Sequence, residues 1–150
     1  MTQNAKSKSR SAARLAAVQA IYQQDMEGMK LAPLLHEFHE HRLGAEIEDA
    51  QYADAEVSFF DDIVSGVDAR RDEIDAMIES RLASGWSLKR LDKTMHQILR
   101  CGTYELMARA DVPVATAITE YVDVAHAFFD KKDAGFVNGL LDAIAKEVRR

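Results

Sequence analysis

The stretch of sequence that decides the fold is residues 88–109, LKRLDKTMHQILRCGTYELMAR. Apolar residues recur in it at steps of three and four, the spacing of one face of an α-helix, at Leu88, Leu91, Met95, Ile98, Gly102 and Leu106. Gly102 lies inside this face although glycine costs about 1 kcal/mol against alanine in a helix interior. A neighbouring helix packed closely at Gly102 would compensate. We therefore predict a central helix contacted on several sides, with Ser87 as its N-cap and with solvent-facing Lys89, Arg90, Asp92, Lys93 and Gln97.

Helical spacing continues through six other segments of the chain. The predicted boundaries, in chain order, are Ser11 and Gly28 for the first helix, Ala32 and Leu43 for the second, Asp54 for the start of the third, Gly85 for the end of the fourth and Pro113 for the start of the sixth. No segment alternates apolar and polar residues for long enough to form a strand. The predicted fold class is therefore all-α, with about seven helices.

The length of 150 residues fits one domain that needs neither disulfides nor a structural metal. We predict a single helical domain over residues 11–150 and a flexible basic arm over residues 1–10, because residues 1–9 are polar and lack periodicity. No apolar run approaches the roughly 20 residues that span a bilayer, and the N-terminus lacks an apolar signal segment. The lone cysteine, Cys101, lies in an apolar run and is expected in the core. These features predict a cytoplasmic protein without a membrane partner.

Charge is distributed unevenly along the chain. The net charge is −6, yet no acidic residue precedes the first four basic ones, Lys6, Lys8, Arg10 and Arg14. A basic start on an acidic body favours a local anionic partner. Arg10 and Arg14 lie near the start of the first predicted helix, where the helix dipole disfavours cations, so an anionic ligand would relieve the conflict. The alternative is a solvated helix start without a ligand.

Catalytic and metal-binding patterns are absent from the sequence. There is no glycine-rich phosphate loop after a strand, no paired-cysteine motif and no nucleophile elbow. Adjacent Asp61 and Asp62 point about 100° apart on a helix, which suits solvation rather than shared acid–base catalysis. The spacing of His36, His39 and His41 does not bring all three to one face, so we expect solvent-exposed histidines. We therefore predict neither an enzyme nor a cofactor or metal site.

The segment GFVNGLLDAI, residues 135–144, places Asn138 between two glycines in an apolar helix. Such an asparagine needs a hydrogen-bond partner. If the side chain is buried, the partner is a neighbouring helix; if the side chain is presented at the helix start, the partner is a ligand. Phe136 closely follows Lys131 and Lys132. An aromatic ring beside basic residues is what single-stranded RNA uses for base stacking and phosphate contact. The sequence therefore indicates a candidate RNA-binding segment around Phe136.

Six pieces of the sequence together resemble the NusB family of bacterial transcription antitermination factors. In chain order they are RxxAVQAIY at 14–22, FxDIVxGV at 60–67, ILRxxxYEL at 98–106, DVP at 111–113, AITE at 117–120 and GFVNGLLD at 135–142. Their order and spacing cover nearly the whole chain after the arm. The resemblance implies seven helices in two small packed bundles, which agrees with the helix count from periodicity.

The resemblance also implies a function and partners. The protein would pair with ribosomal protein NusE, bind the boxA element of nascent ribosomal RNA operon transcripts as single-stranded RNA, and help RNA polymerase in the antitermination complex to read through terminators. The implied RNA-binding residues are Lys6, Lys8, Arg10, Arg14, Lys131, Lys132 and Phe136. Contact with the protein partner is implied for Tyr22 on the first helix and for Met95 and Glu105 on the central helix.

Two other functions remain open at this point. A similar helical domain precedes the catalytic domain of RNA cytosine methyltransferases, but this chain carries no cofactor-binding α/β segment, so only an RNA-guiding module would remain. The other is a protein-only helical adaptor, in which the basic start is merely a tail. RNA binding that depends on the ribosomal partner distinguishes antitermination from both.

Overall fold

The computed structural model of the chain describes the backbone of residues 2–43 and 50–149 and the side chains of residues 8–41, 43 and 57–149. Seven α-helices lie within these ranges: α1 Thr2–Glu27, α2 Leu31–Glu37, α3 Ala50–Ala69, α4 Arg71–Ser80, α5 Lys93–Ala108, α6 Val114–Phe128 and α7 Lys131–Val148. A π-helical turn, Phe38–Leu43, follows α2, and a 3-10 turn, Leu88–Arg90, precedes α5. No strand occurs in these ranges. The predicted all-α class is confirmed.

The chain divides into two compact units, Met1–Asp68 and Ala69–Arg150, where the sequence predicted one domain over residues 11–150. In the first unit the rings of Phe38 and Phe60 stack with their centroids 5.5 Å apart. The Gln24 amide donates a hydrogen bond of 2.8 Å to the Asp68 carboxylate, which ties α1 to α3. Apolar residues that are buried in this unit include Ala13, Ala17, Val18, Ile21, Leu34, Ile63 and Val64.

Two helix starts in the first unit differ from the prediction. Helix α1 begins at Thr2 rather than near Ser11, because residues 2–10 contain no helix breaker. It ends at Glu27, and Gly28 follows with a φ of 69°, as a helix-terminating glycine does. Helix α3 begins at Ala50, so Asp54 lies inside it and is not its cap. The second predicted helix, Ala32 to Leu43, corresponds to α2 and the π-helical turn that follows it. The flexibility of residues 1–10 stays a prediction.

The second unit is organised around α5, which packs against α4, α6 and α7. A Cβ atom built on Gly102 would lie 3.0 Å and 3.1 Å from the two Cδ atoms of Leu141 on α7 and 3.4 Å from Cδ2 of Tyr121 on α6. The close packing predicted at Gly102 is therefore confirmed, although the neighbouring atoms belong to side chains rather than to another backbone. Cys101 beside it is fully buried, as expected.

The central helix starts later than the sequence predicted. Its apolar spacing continues through the 3-10 turn Leu88–Arg90, whose period is close to that of an α-helix over a single turn. The cap of α5 is Asp92, whose Oδ1 accepts hydrogen bonds of 2.8 Å and 3.1 Å from the backbone N–H groups of Thr94 and Met95. Ser87 makes no side-chain cap. Helix α4 likewise ends at Ser80, before the predicted stop at Gly85.

Gln97, predicted to face solvent, is instead buried, and Arg100 beside it binds a carboxylate of α4. Gln97 is fully buried and accepts a hydrogen bond of 3.1 Å from Arg100. Asp75 accepts bonds of 2.9 Å and 2.7 Å from the Arg100 guanidinium and lies 2.9 Å from Nε2 of His96. Burial raises the pKa of Asp75, but the bonds from Arg100 and His96 outweigh it and hold this pKa well below its usual range. Helices α4 and α5 are thus joined by a charged cluster.

Candidate functional site

Two arginines in the first half of α1, Arg10 and Arg14, pack on an aromatic ring of α3. The guanidinium carbon of Arg10 lies 4.5 Å from the centroid of the Phe59 ring, and that of Arg14 lies 4.9 Å from it. A guanidinium at this distance is attracted to the face of an aromatic ring. The four-residue spacing of the two arginines places both on the same side of α1, where Phe59 meets them. Phe59 therefore holds the side chains of Arg10 and Arg14 on one side of α1.

The four predicted RNA-binding residues of α1 differ in exposure. Arg14 is 3% exposed, so its guanidinium is part of the packing on Phe59 rather than an open contact surface. Arg10 is half-buried and Lys8 is exposed. The side chain of Lys6 lies outside the described residues. An open contact at Arg14 is therefore not available, because α1 begins at Thr2 and Arg14 lies in its middle, where it packs on Phe59. For the same reason the conflict with the helix dipole predicted for Arg10 and Arg14 does not arise.

A groove in the second unit brings together two more of the predicted RNA-binding residues, Lys132 and Phe136. Its volume is about 460 Å³, and the nine residues that line it are Trp86, Arg90, Leu91, Asp92, Met95, Phe129, Lys132, Asp133 and Phe136. Lys131, also predicted, is exposed on α7 but is not among them. Three aromatic rings and two cations thus share one concavity with two carboxylates.

Local sequence explains how α7 presents Lys132 and Phe136. The Asp130 side chain caps α7 by accepting a hydrogen bond of 3.0 Å from the backbone N–H of Asp133. The cap starts the helix at Lys131, and residues 132 and 136, four apart, then lie on one face. Phe136 is 37% exposed although it is a large apolar residue. The ring is therefore available to a ligand and is not a core anchor.

Trp86 and Arg90, which also line the groove, belong to a segment that Arg90 holds in place. The Arg90 Nη1 group donates a hydrogen bond of 2.7 Å to the carbonyl oxygen of Gly85, and the guanidinium carbon lies 5.5 Å from the centroid of the Trp86 ring. Gly85 has a φ of 90°, a left-handed backbone conformation that glycine adopts without strain. Trp86 is 51% exposed. The loop thus holds a large aromatic side chain at the surface.

Other predicted site residues are placed differently. Tyr22 is 38% exposed on α1, as a partner contact requires, whereas Met95 is 5% exposed and Glu105 is fully buried. Neither Met95 nor Glu105 offers an open contact surface, because α5 is covered by α4, α6 and α7, so their predicted contact with the partner has no support from their exposure. Asn138 is exposed, so it is not the buried asparagine that the sequence offered as one alternative.

The histidines, the cysteine and the apolar segments add no further site. His39 lies 2.6 Å from the Asp61 carboxylate, unlike the purely solvated residue expected, while His36 and His41 are exposed. Within the described residues no group of His, Cys, Asp and Glu could hold a metal ion. Burial raises the pKa of the Cys101 thiol, which makes it unreactive. No helix in the described part of the chain has the length and apolarity to cross a membrane.

Sequence reasoning missed three residues that shape the two surfaces. Phe59 lies far from Arg10 and Arg14 in the sequence, and helical periodicity does not report contacts between helices. Trp86 and Arg90 had a usable signal, since a tryptophan after a glycine in a predicted loop is an apolar residue outside every predicted core face. A basic residue four positions later adds a cation beside the ring.

The family model described as the NusB family matches residues 11–146. The chain belongs to the NusB family. A transcription antitermination protein NusB from Novosphingobium aromaticivorans is 71% identical over 142 residues, which cover 95% of this chain and 96% of that protein. Its counterpart from Sphingopyxis alaskensis is 68% identical over 147 residues, which cover 98% and 99% of the two chains. The family match and both relatives therefore cover nearly the whole sequence.

Solved structures of the family have the same fold. NusB from T. maritima superimposes with a TM-score of 0.78 at 30% identity, covering 94% of this chain and 93% of that one. A chain in a crystal structure of the antitermination factors NusB and NusE in complex with dsRNA also gives a TM-score of 0.78, at 27% identity and with 93% and 98% coverage. The resemblance stated from the sequence motifs is confirmed.

Proposed function

We propose that the chain is a transcription antitermination factor which binds ribosomal protein NusE and the boxA element of nascent ribosomal RNA operon transcripts, and so helps RNA polymerase to read through terminators. The observation that carries the proposal is the 71% identity, over 95% of the chain, to a protein named for transcription antitermination. The role is regulatory and involves no catalysed reaction. It places the protein in the cytoplasm, where bacterial transcripts are made.

The two surfaces support single-stranded RNA as the nucleic-acid partner. The first is the basic start of α1, with Lys8 exposed and Arg10 held by Phe59. The second is the groove of the second unit, which combines exposed rings with Arg90 and Lys132. Aromatic rings recognise bases that are not stacked in a duplex, and cations contact the phosphates. The related structure of NusB and NusE contains dsRNA. Comparing single-stranded RNA with a duplex therefore tests the proposed preference for a single strand.

The test is a titration of fluorescently labelled RNA with the full chain, alone and with NusE, followed by anisotropy. Three RNAs of equal length are compared: a boxA sequence, a scrambled sequence and a boxA duplex. We expect NusE to tighten binding of single-stranded boxA more than that of the other two. Equal affinity for all three RNAs, or no effect of NusE, would contradict the proposal and favour the protein-only adaptor.

Lys8→Ala should weaken RNA binding and flatten its salt dependence. Each phosphate contact to a single strand contributes about 0.7 to the slope of log K against log salt, so the variant should lose about that much. Lys30→Ala is a matched control, because Lys30 is also exposed but follows the other end of α1, about 30 Å away. Salt titrations of both variants provide the measurement. If the two variants have the same slope, the start of α1 does not contact RNA.

Phe136→Ala and Lys132→Ala should separate stacking from charge in the groove. Stacking is worth about 1–3 kcal/mol per base, so Phe136→Ala should lower affinity with little change in the salt slope, whereas Lys132→Ala should reduce both. Phe128→Ala is the control, because Phe128 is 45% exposed and does not line the groove. Thermal unfolding of the same samples checks the fold. An affinity for Phe136→Ala equal to that of Phe128→Ala would exclude stacking on Phe136.

A further inference from the structure

From the groove of the second unit we infer a nucleobase pocket: a single unstacked base of the RNA lies against Trp86 and Phe136, and the carboxylates of Asp92 and Asp133 favour a base with an exocyclic amino group. This inference rests on the proposed function, because it assumes that RNA is bound. It adds Trp86 as a stacking residue, Arg90 as the group that positions it, and a base preference.

The size and lining of the groove fit a base rather than a phosphate alone. Its volume of about 460 Å³ lies within the range of small-molecule pockets, about 300–1,000 Å³. The wall is largely apolar, with Leu91 and Met95 beside the rings of Trp86, Phe129 and Phe136. The two cations are balanced by two carboxylates, so net charge does not attract an anion here. Recognition must therefore come mainly from the faces and edges of a planar group.

Arg90 orders the stacking surface before RNA binds. Its hydrogen bond of 2.7 Å to the Gly85 carbonyl oxygen fixes the guanidinium, which lies 5.5 Å from the centroid of the Trp86 ring. Unstacked RNA bases pack on aromatic rings and on guanidinium planes alike. The Trp86–Arg90 pair thus offers a preformed surface, and little conformational entropy is lost when a base packs on it. Lys132 on α7 supplies a cation for the neighbouring phosphate.

The two carboxylates give the pocket a base preference. An ionised carboxylate only accepts hydrogen bonds. Cytosine presents the N4 amino donor at the position where uracil presents the O4 acceptor, although the two rings have the same size. Asp92 and Asp133 should therefore attract cytosine and repel that edge of uracil. Asp92 is also held in place, because its Oδ1 already accepts two backbone hydrogen bonds at the start of α5.

Trp86 provides a direct readout, since it is the only tryptophan in the chain. The experiment titrates the full chain with short single-stranded oligocytidine and oligouridine, and follows Trp86 fluorescence and the anisotropy of a label on the RNA in the same samples. We expect the fluorescence change to saturate together with binding. Trp86→Ala should bind roughly 5- to 150-fold more weakly, the range expected for one stacked base. Trp86→Phe keeps a ring and should retain most of the affinity.

The base preference has its own matched variant. We expect oligocytidine to bind the parent chain roughly tenfold more tightly than oligouridine, within the range for one base discriminated by hydrogen bonds. The double variant Asp92→Asn with Asp133→Asn should lose this preference, because an amide both donates and accepts. Asparagine is as good an N-cap as aspartate, so α5 stays capped. A preference unchanged in the double variant would overturn the role of the carboxylates.

The outcomes separate this inference from the proposed function. If the RNA anisotropy shows binding while Trp86 fluorescence stays constant and Trp86→Ala binds like the parent, the pocket is refuted and the proposed function stands. If NusE alone changes Trp86 fluorescence and RNA does not, the groove is a protein contact and the pocket is again refuted. If no RNA binds with or without NusE, both fail. The unfolding temperature of Trp86→Ala should match that of the parent, because Trp86 is 51% exposed.

Discussion

Gly102→Leu should lower the free energy of unfolding by about 1–3 kcal/mol or more, the usual cost of overpacking a well-filled core. Even a Cβ atom at this position would lie 3.0 Å from the Leu141 side chain and 3.4 Å from Tyr121. The larger leucine would force α6 and α7 away from α5, the helix against which both pack. For a chain of this length each kcal/mol lowers the unfolding temperature by about 2–4 °C.

Thermal unfolding of Gly102→Leu and of a second glycine variant tests this packing. Gly139 lies on α7, is exposed, and has nothing within 4 Å of a Cβ atom built on it. Gly139→Ala should therefore stabilise the protein by up to about 1 kcal/mol, since alanine is the better helix former. An unfolding temperature for Gly102→Leu within about a degree of the parent would show that α6 and α7 do not pack closely there.

Arg100→Ala should destabilise the second unit by about 3 kcal/mol, the lower end of the range for breaking a buried ion pair. The Arg100 side chain is 6% exposed and that of Asp75 is 19% exposed, so water would compensate only part of the lost bonds. The substitution also removes the donor to buried Gln97. The matched control is Arg70→Ala, whose pair with Glu73 is exposed and screened by solvent, so its loss should destabilise the protein much less than Arg100→Ala.

The same ion pair predicts a pH dependence. The pKa of Asp75 is lower in the folded chain than its ordinary value near 3.9, so the unfolded chain binds the proton more readily. The stabilisation is therefore complete above about pH 4 and declines as the pH falls towards the folded pKa. Urea unfolding at pH 7 and pH 3 should show the gap between parent and Arg100→Ala narrowing in acid. A gap independent of pH, or a loss no larger than that of Arg70→Ala, would exclude this role for Asp75.

Much of the fold could be predicted because helical periodicity is a local property. The apolar spacing around Gly102 identified the central helix, and Gly28 marked a helix end correctly. Helix starts were less accurate, because a 3-10 turn keeps nearly the same spacing as an α-helix for one turn and because residues 2–10 lack a breaker. The depth of burial was also missed: Gln97 and Glu105 are polar, yet a helix covered on three sides buries them.

The candidate site was predictable where chemistry is visible in neighbouring residues. Lys132 and Phe136 lie one helical turn apart, so their shared face followed from the sequence. The contact of Arg14 with Phe59 joins two helices that are distant in the chain, and no local pattern records it. The groove itself arises where a loop, a 3-10 turn and two helices meet. The sequence alone could list candidate residues but could not say which of them line one cavity.

The most direct test of the proposed function is transcription in vitro through a terminator placed downstream of a boxA element. Purified RNA polymerase, NusE and the full chain are combined, and the fraction of full-length RNA is measured with intact and with scrambled boxA. We predict that adding the chain raises read-through only when boxA is intact and NusE is present. Read-through that is the same for intact and scrambled boxA, or unaffected by the chain, would contradict an antitermination function.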